Sequence, residues 1–142
     1  MVPTGSRAST LSASAKLVTD RTSMVAWLGY DTPGATQVAF DGKAQAGAPE
    51  LVGFVDDLRA THTGAQPPRV TVLAHSYGTL VTGLAARQGL ASDAITLVGS
   101  PGVGAAHATE LGLPAGAVWA GRTPDDPIRA VFVTDPAARA AA

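Results

Sequence analysis

A chain of 142 residues fits one domain built around one hydrophobic core. Its 10 Lys+Arg and 11 Asp+Glu leave a formal net charge of -1, without the single-sign field of a nucleic-acid or anionic-lipid binder, and 46% hydrophobic against 15% charged residues excludes a disordered chain. Zero cysteines remove disulfides, thiolate metal sites and a cysteine nucleophile.

The chain starts with a Ser-rich stretch carrying Ser6, Ser9, Ser12 and Ser14, which lacks the apolar core of a signal peptide. The first apolar run, Met24 to Leu28, stops at Gly29 and predicts a strand. Leu51, Phe54, Val55 and Leu58 then recur at i, i+3, i+4 and i+7, the spacing of an amphipathic helix. Val70 to Ala74 predicts a second strand and leads into the turn His75 to Gly78. Leu80, Val81 and Leu84 place a helix over about Thr79 to Gln88, with Gly89 as its stop. Two more strands are predicted at Ala94 to Val98, before Gly99, and at Val118 to Ala120, before Gly121. An Ala/Arg stretch follows Pro136. No apolar run approaches the ~18 residues of a membrane span, so no membrane span and a cytoplasmic location are expected.

Apolar runs alternating with helical spacing form the βαβ pattern, and near-continuous apolarity suits parallel strands covered on both faces. The expectation is a single α/β domain over residues 1–142, a mostly parallel sheet with helices on both faces. In such sheets ligands bind beyond the carboxyl ends of the strands.

One of those ends carries the strongest functional signal. In Ala74-His75-Ser76-Tyr77-Gly78 a strand runs through a tight turn at Ser76 into a helix. A nucleophile elbow needs that context, because the turn lifts the Ser hydroxyl above the sheet while small neighbours, here Ala74 and Gly78, let strand and helix approach. The Tyr77 N–H, at the helix start, is a candidate oxyanion donor. The competing structural reading of Ser76 is an ordinary helix N-cap.

Together with Val25-Ala26-Trp27-Leu28-Gly29-Tyr30-Asp31-Thr32-Pro33, Gly99-Ser100-Pro101-Gly102-Val103-Gly104 and Asp126-Pro127-Ile128, this elbow makes most of the chain resemble a group of bacterial α/β-hydrolases. The resemblance implies a serine hydrolase acting on a small-molecule ester or related acyl substrate, without a metal or other cofactor. It also relates Val2-Pro3-Thr4-Gly5-Ser6, one Gly short, to a Val-Pro-Gly-x-Gly-Ser loop that helps form the oxyanion hole, which assigns a second donor to Thr4.

In these hydrolases the acid follows the Ser along the chain and the His follows the acid. Asp125 and Asp126 both come just after the last predicted strand, in a turn flanked by Pro124 and Pro127 where Asp is favoured in any case. The resemblance places the acid at Asp126. The only histidines, His62, His75 and His107, all precede it. His62 falls in a loop at the opposite end of the sheet, His75 adjoins Ser76 on a tight turn, and His107 is a replacement base only if the chain order is violated. The reading that follows is a partial catalytic domain, short of a front strand and of the His-bearing loop. Such a chain is weakly active or inactive, and an exposed sheet edge favours self-association. Two other classes stay open: a non-catalytic α/β protein binding a ligand or partner, and a nucleotide-binding module using the Gly99 to Gly104 loop, whose spacing departs from Gly-x-Gly-x-x-Gly.

Overall fold

The computed structural model describes residues 4–30 and 42–126. Its elements in chain order are α1 (Thr4–Lys16), α2 (Gly42–Ala60), β1 (Thr71–His75), α3 (Gly78–Arg87), β2 (Ala94–Val98), a short 3-10 helix (Ala108–Leu111) and β3 (Val118–Gly121). The strands form one parallel sheet in the order β1-β2-β3, with Leu73, Thr96 and Trp119 in one row across it and Ala74, Leu97 and Ala120 in the next. Each crossover returns the chain to the same sheet edge, so the turns after all three strands gather at one end.

The pleat sends Ala74, Ile95 and Leu97 into the core, where α2 and α3 cover them. On α2 the covering stripe is Ala44, Ala48, Leu51 and Val55, and on α3 it is Leu80, Val81 and Ala85, all buried. Each fully buried Leu or Ile, such as Leu80 and Ile95, contributes about 1.5–3 kcal/mol through burial. Alanines and Gly47 on α2 allow close approach: a Cβ on Gly47 would lie 3.0 Å from Tyr30 and 3.4 Å from Val81. The opposite face of the sheet exposes Leu73, Val98 and Trp119.

Most expected elements form within a residue or two. Gly89 ends α3 as anticipated: it takes a φ of 93°, and the Gly89 and Leu90 amides bond to the carbonyls of Ala86 and Ala85. That left-handed stop is open to Gly without a Cβ penalty. Three features differ from expectation. The Ser-rich start forms helix α1, in which Ser14 Oγ donates to the Thr10 carbonyl at 3.1 Å. Helix α2 begins well before Leu51 and runs through Pro49, whose exposed position keeps the ring off the packed face. Residues 22–29 take no regular structure, so Met24 to Leu28 is not a strand. Trp27 instead stacks on Tyr30 at 5.8 Å and meets Phe54 at 6.4 Å. A strand requires a ladder partner, whereas this segment is held by its aromatic rings.

The amino end of the sheet is locked by Asp93. Its Oδ2 accepts the Val70 N–H and Arg59 Nη2, both at 2.7 Å, while the Asp93 N–H donates to the Val70 carbonyl. Arg59, at the end of α2, also donates to the carbonyls of Ala91 and Pro68. The Val70 N–H, followed by the Arg59 hydrogen bond and charge, outweighs partial burial and holds the Asp93 carboxyl below the usual carboxylate range.

Candidate active site

Ser76 sits where β1 gives way to α3 and has a φ of 55°, the one left-handed residue other than glycine among those described. A Cβ in that region costs on the order of 1–3 kcal/mol, so the surroundings must over-determine the turn. The Ser76 N–H donates to the Val98 carbonyl at 3.0 Å, continuing the ladder with β2 by one residue. Its carbonyl accepts two bonds from Thr79, from the N–H at 2.9 Å and the hydroxyl at 2.7 Å. A capping Ser would hold extended backbone angles and accept helix N–H groups through its hydroxyl. Here Tyr77, already in right-handed helical geometry, occupies the cap position without a side-chain cap bond.

The Tyr77 ring is buried beneath the turn. Its Oη accepts the Ala44 N–H at 3.1 Å, tying the elbow to the start of α2, and the ring stacks on Tyr30 at 6.3 Å. Burial, with the neighbouring Tyr77 phenol as the smaller cause, raises the Tyr30 phenol above its ordinary range.

After β2 the chain turns through Gly99, with a φ of 55°, and runs on through Pro101 to Ala105, all buried. The Gly99 N–H donates to the Gly121 carbonyl, so β2 and β3 stay paired up to this edge. The carboxylate of Asp126 lies directly over Gly99: a Cβ there would stand 2.8 Å from Asp126 Oδ2 and 3.6 Å from His75 Nε2. Ser76, Asp126 and His75 thus share the carboxyl end of the sheet. Asp126 is half-buried, whereas Asp125 is exposed. Thr4 is the first residue of α1, so its backbone begins a helix. Val2, Pro3, Asp31, Thr32, Pro33, Pro127 and Ile128, which carry parts of the resemblance, lie outside the described residues.

The remaining histidines have other engagements. The His62 Nε2 is paired with the Gln66 carbonyl at 2.9 Å in the loop before β1, at the amino end. His107 precedes the 3-10 helix: its carbonyl accepts the Glu110 N–H at 3.0 Å, while the Glu110 carboxylate accepts the His107 N–H at 2.9 Å. In the glycine-rich turn the Gly102 N–H donates to Ser100 Oγ at 3.1 Å, and the segment packs on α3. A Cβ on Gly83 would overlap the Val103 carbonyl oxygen, Gly104 abuts Leu84, and Arg87 donates to the Gly104 carbonyl. Among the described residues no group of acidic and imidazole side chains is arranged to hold a metal ion, and no helix is long and apolar enough to cross a membrane.

Sequence reasoning passed over Thr79 and Ser100. Thr79 is fully buried, and its hydroxyl meets that of Ser100 at 2.7 Å. The available signal was a Thr three residues beyond Ser76, on the helix face that also buries Leu80 and Thr82.

A parallel α/β sheet whose left-handed serine joins a strand to a helix, with an aspartate after a later strand at the same edge, has the architecture of the α/β-hydrolase class. The family profile described as alpha/beta hydrolase matches residues 4–136, and the chain belongs to that family. It is 42% identical over 98 residues to the uncharacterized protein Rv0963c of Mycobacterium tuberculosis and equally to Mb0988c of Mycobacterium bovis, covering 68% of this chain and 36% of those proteins. It is 38% identical over 112 residues to the uncharacterized protein Rv2079 of Mycobacterium tuberculosis, covering 75% of this chain and 17% of that one. The chain therefore spans about a third or less of the length of these curated relatives. No solved structure matches it significantly.

Proposed function

We propose that Ser76 is the nucleophile of a serine hydrolase acting on an ester or related acyl substrate. The observation that carries this reading is the left-handed φ of Ser76 at a strand-to-helix turn, a strain that an N-cap has no need of. In the proposed reaction Ser76 Oγ bonds to the acyl carbon and its proton passes to a base. The alcohol departs with a proton, and water then releases the acid and restores the serine. The Tyr77 N–H stabilises the oxyanion, aided by the N-terminal end of α3. Thr4 supplies the second donor in this reading, since the first N–H groups of a helix have no intrahelical acceptor. Asp126 orients the base.

The base itself sets the expected rate. His62 lies at the other end of the sheet, and His107 precedes Asp126 in the chain, against the order of acid and then histidine. His75 shares this edge with Asp126 but directly precedes Ser76 on the tight turn, where neighbouring side chains diverge, so we expect the 142-residue chain to be a weak hydrolase. The engagement of His62 with Gln66, away from this edge, and the position of His75 next to Ser76 favour a second reading, a non-catalytic member of the family that binds its ligand at this edge. Labelling by a fluorophosphonate probe, with and without added imidazole, separates the two. Labelling that Ser76→Ala abolishes and imidazole accelerates supports the hydrolase; equal labelling of both proteins supports the binding protein.

A further inference from the structure

We infer that Thr79 and Ser100 are positioning residues for the elbow: through a one-way chain of hydrogen bonds they fix the peptide plane between Ser76 and Tyr77, and with it the direction of the Tyr77 N–H. The inference rests on the proposed role of that N–H as oxyanion donor.

The direction of the chain follows from counting protons. The Gly102 N–H can only donate, so Ser100 Oγ accepts it. The Ser76 carbonyl can only accept, so at 2.7 Å the Thr79 hydroxyl gives its single proton there. The contact of 2.7 Å between the two hydroxyls then has one remaining donor, Ser100. The sequence of donors is Gly102 N–H to Ser100 Oγ–H to Thr79 Oγ1–H to the Ser76 carbonyl. The Thr79 hydroxyl has a second acceptor in the Gly102 carbonyl, but at 3.4 Å against 2.7 Å the Ser76 carbonyl is the shorter and stronger bond. Thr79 is fully buried, where an unpaired hydroxyl is costly.

The Ser76 carbonyl and the Tyr77 N–H belong to one planar unit and point in opposite directions. Two bonds from Thr79 to that carbonyl, 2.9 Å from its N–H and 2.7 Å from its hydroxyl, hold the plane against rotation. The N–H on the far side is aimed by the same constraint. The outer end of the chain is anchored in turn. Gly102 lies in the buried segment that Gly83 lets close onto α3 and that Arg87 holds by the Gly104 carbonyl. The Gly-Ser-Pro-Gly-Val-Gly turn thus acts as a brace for the elbow.

An oxyanion donor acts on the transition state, so misaiming it lowers reaction rate more than ground-state binding. Thr79→Val keeps the shape and removes the hydroxyl, Thr79→Ser keeps the hydroxyl, and Ser100→Ala cuts the chain one step earlier. In the full chain, Thr79→Val is expected to slow fluorophosphonate labelling of Ser76 about tenfold and Ser100→Ala about threefold, with Thr79→Ser near the parent rate. The amide resonance of Tyr77, read by NMR, is expected to move in Thr79→Val and Ser100→Ala and to return in Thr79→Ser. Labelling and a Tyr77 resonance that both stay unchanged in Thr79→Val overturn the inference; should that variant not fold, Ser100→Ala decides on the same criteria. If the parent and Ser76→Ala label alike, the hydrolase reading fails, and the Tyr77 resonance alone decides whether the brace holds the peptide plane.

Discussion

At the amino end of the sheet polar groups serve one another: Asp93 joins Val70 to Arg59, and Arg59 reaches two further carbonyls, so that β1, β2 and the end of α2 are tied by short bonds between relaxed partners. At the carboxyl end the same strands finish in left-handed turns at Ser76 and Gly99, and the polar groups there hold strained backbone in place. Both ends are built from the same two strands. The difference is that one end lowers the free energy of the fold while the other spends some of it on a geometry a relaxed chain would leave, the division expected where a rigid scaffold presents a reactive group.

The largest effect expected from that contrast is on reactivity. Ser76→Ala should reduce fluorophosphonate labelling by about 100-fold or more, because no other hydroxyl occupies the elbow. The substitution of the same residue by glycine sharpens the contrast, since Ser76→Gly removes the nucleophile and the Cβ penalty together. It should abolish labelling and yet raise the urea midpoint, with a gain of about 1 kcal/mol. A glycine variant less stable than the parent would show that Ser76 is not strained.

Gly83→Ala tests the brace as a packing device. The added Cβ would overlap the Val103 carbonyl, a backbone atom that cannot swing aside, so a loss of about 1–3 kcal/mol is expected in urea denaturation. The helix preference of Ala over Gly, about 1 kcal/mol in the other direction, is the smaller term. Unchanged or increased stability would mean that the close contact of α3 with the Gly102 to Ala105 segment does not brace the elbow.

How much of this was legible in the sequence depends on whether the cause was local. Val70 to Ala74, Ala94 to Val98 and Val118 to Ala120 announce their strands through apolar runs cut off by turn residues, and Gly89 announces the end of α3 by its freedom at positive φ. The edge shared by Ser76 and Asp126 follows from strand order alone. Met24 to Leu28 reads identically as an apolar run, but strand formation needs a neighbour, and the aromatic contacts of Trp27 with Tyr30 and Phe54 are not visible in periodicity. The link between Thr79 and Ser100 was hidden for the same reason. Two hydroxyls 21 residues apart acquire a shared role only once the crossover brings α3 beside the turn after β2.

The smallest effect lies at the amino end and depends on pH. The Asp93 carboxyl is held below its ordinary range first by the Val70 N–H and then by Arg59, so protonation weakens the folded state more than the unfolded one. The stabilisation is therefore complete above the ordinary carboxylate value of ~4 and fades as the pH falls from there through the lowered folded value. Both side chains remain partly open to water, 28% exposed for Arg59 and 36% for Asp93, so solvent screening limits the ion pair. With the backbone bond included, Asp93→Ala should cost about 1 kcal/mol at neutral pH. The urea midpoints of parent and Asp93→Ala should converge on acidification below pH ~4, as the parent loses what the variant already lacks. A gap that stays constant from pH 7 to acid would assign the clamp to packing of the Arg59 stem instead of to the carboxylate, and the contrast between a polar lock at one end and a strained turn at the other would lose its first half.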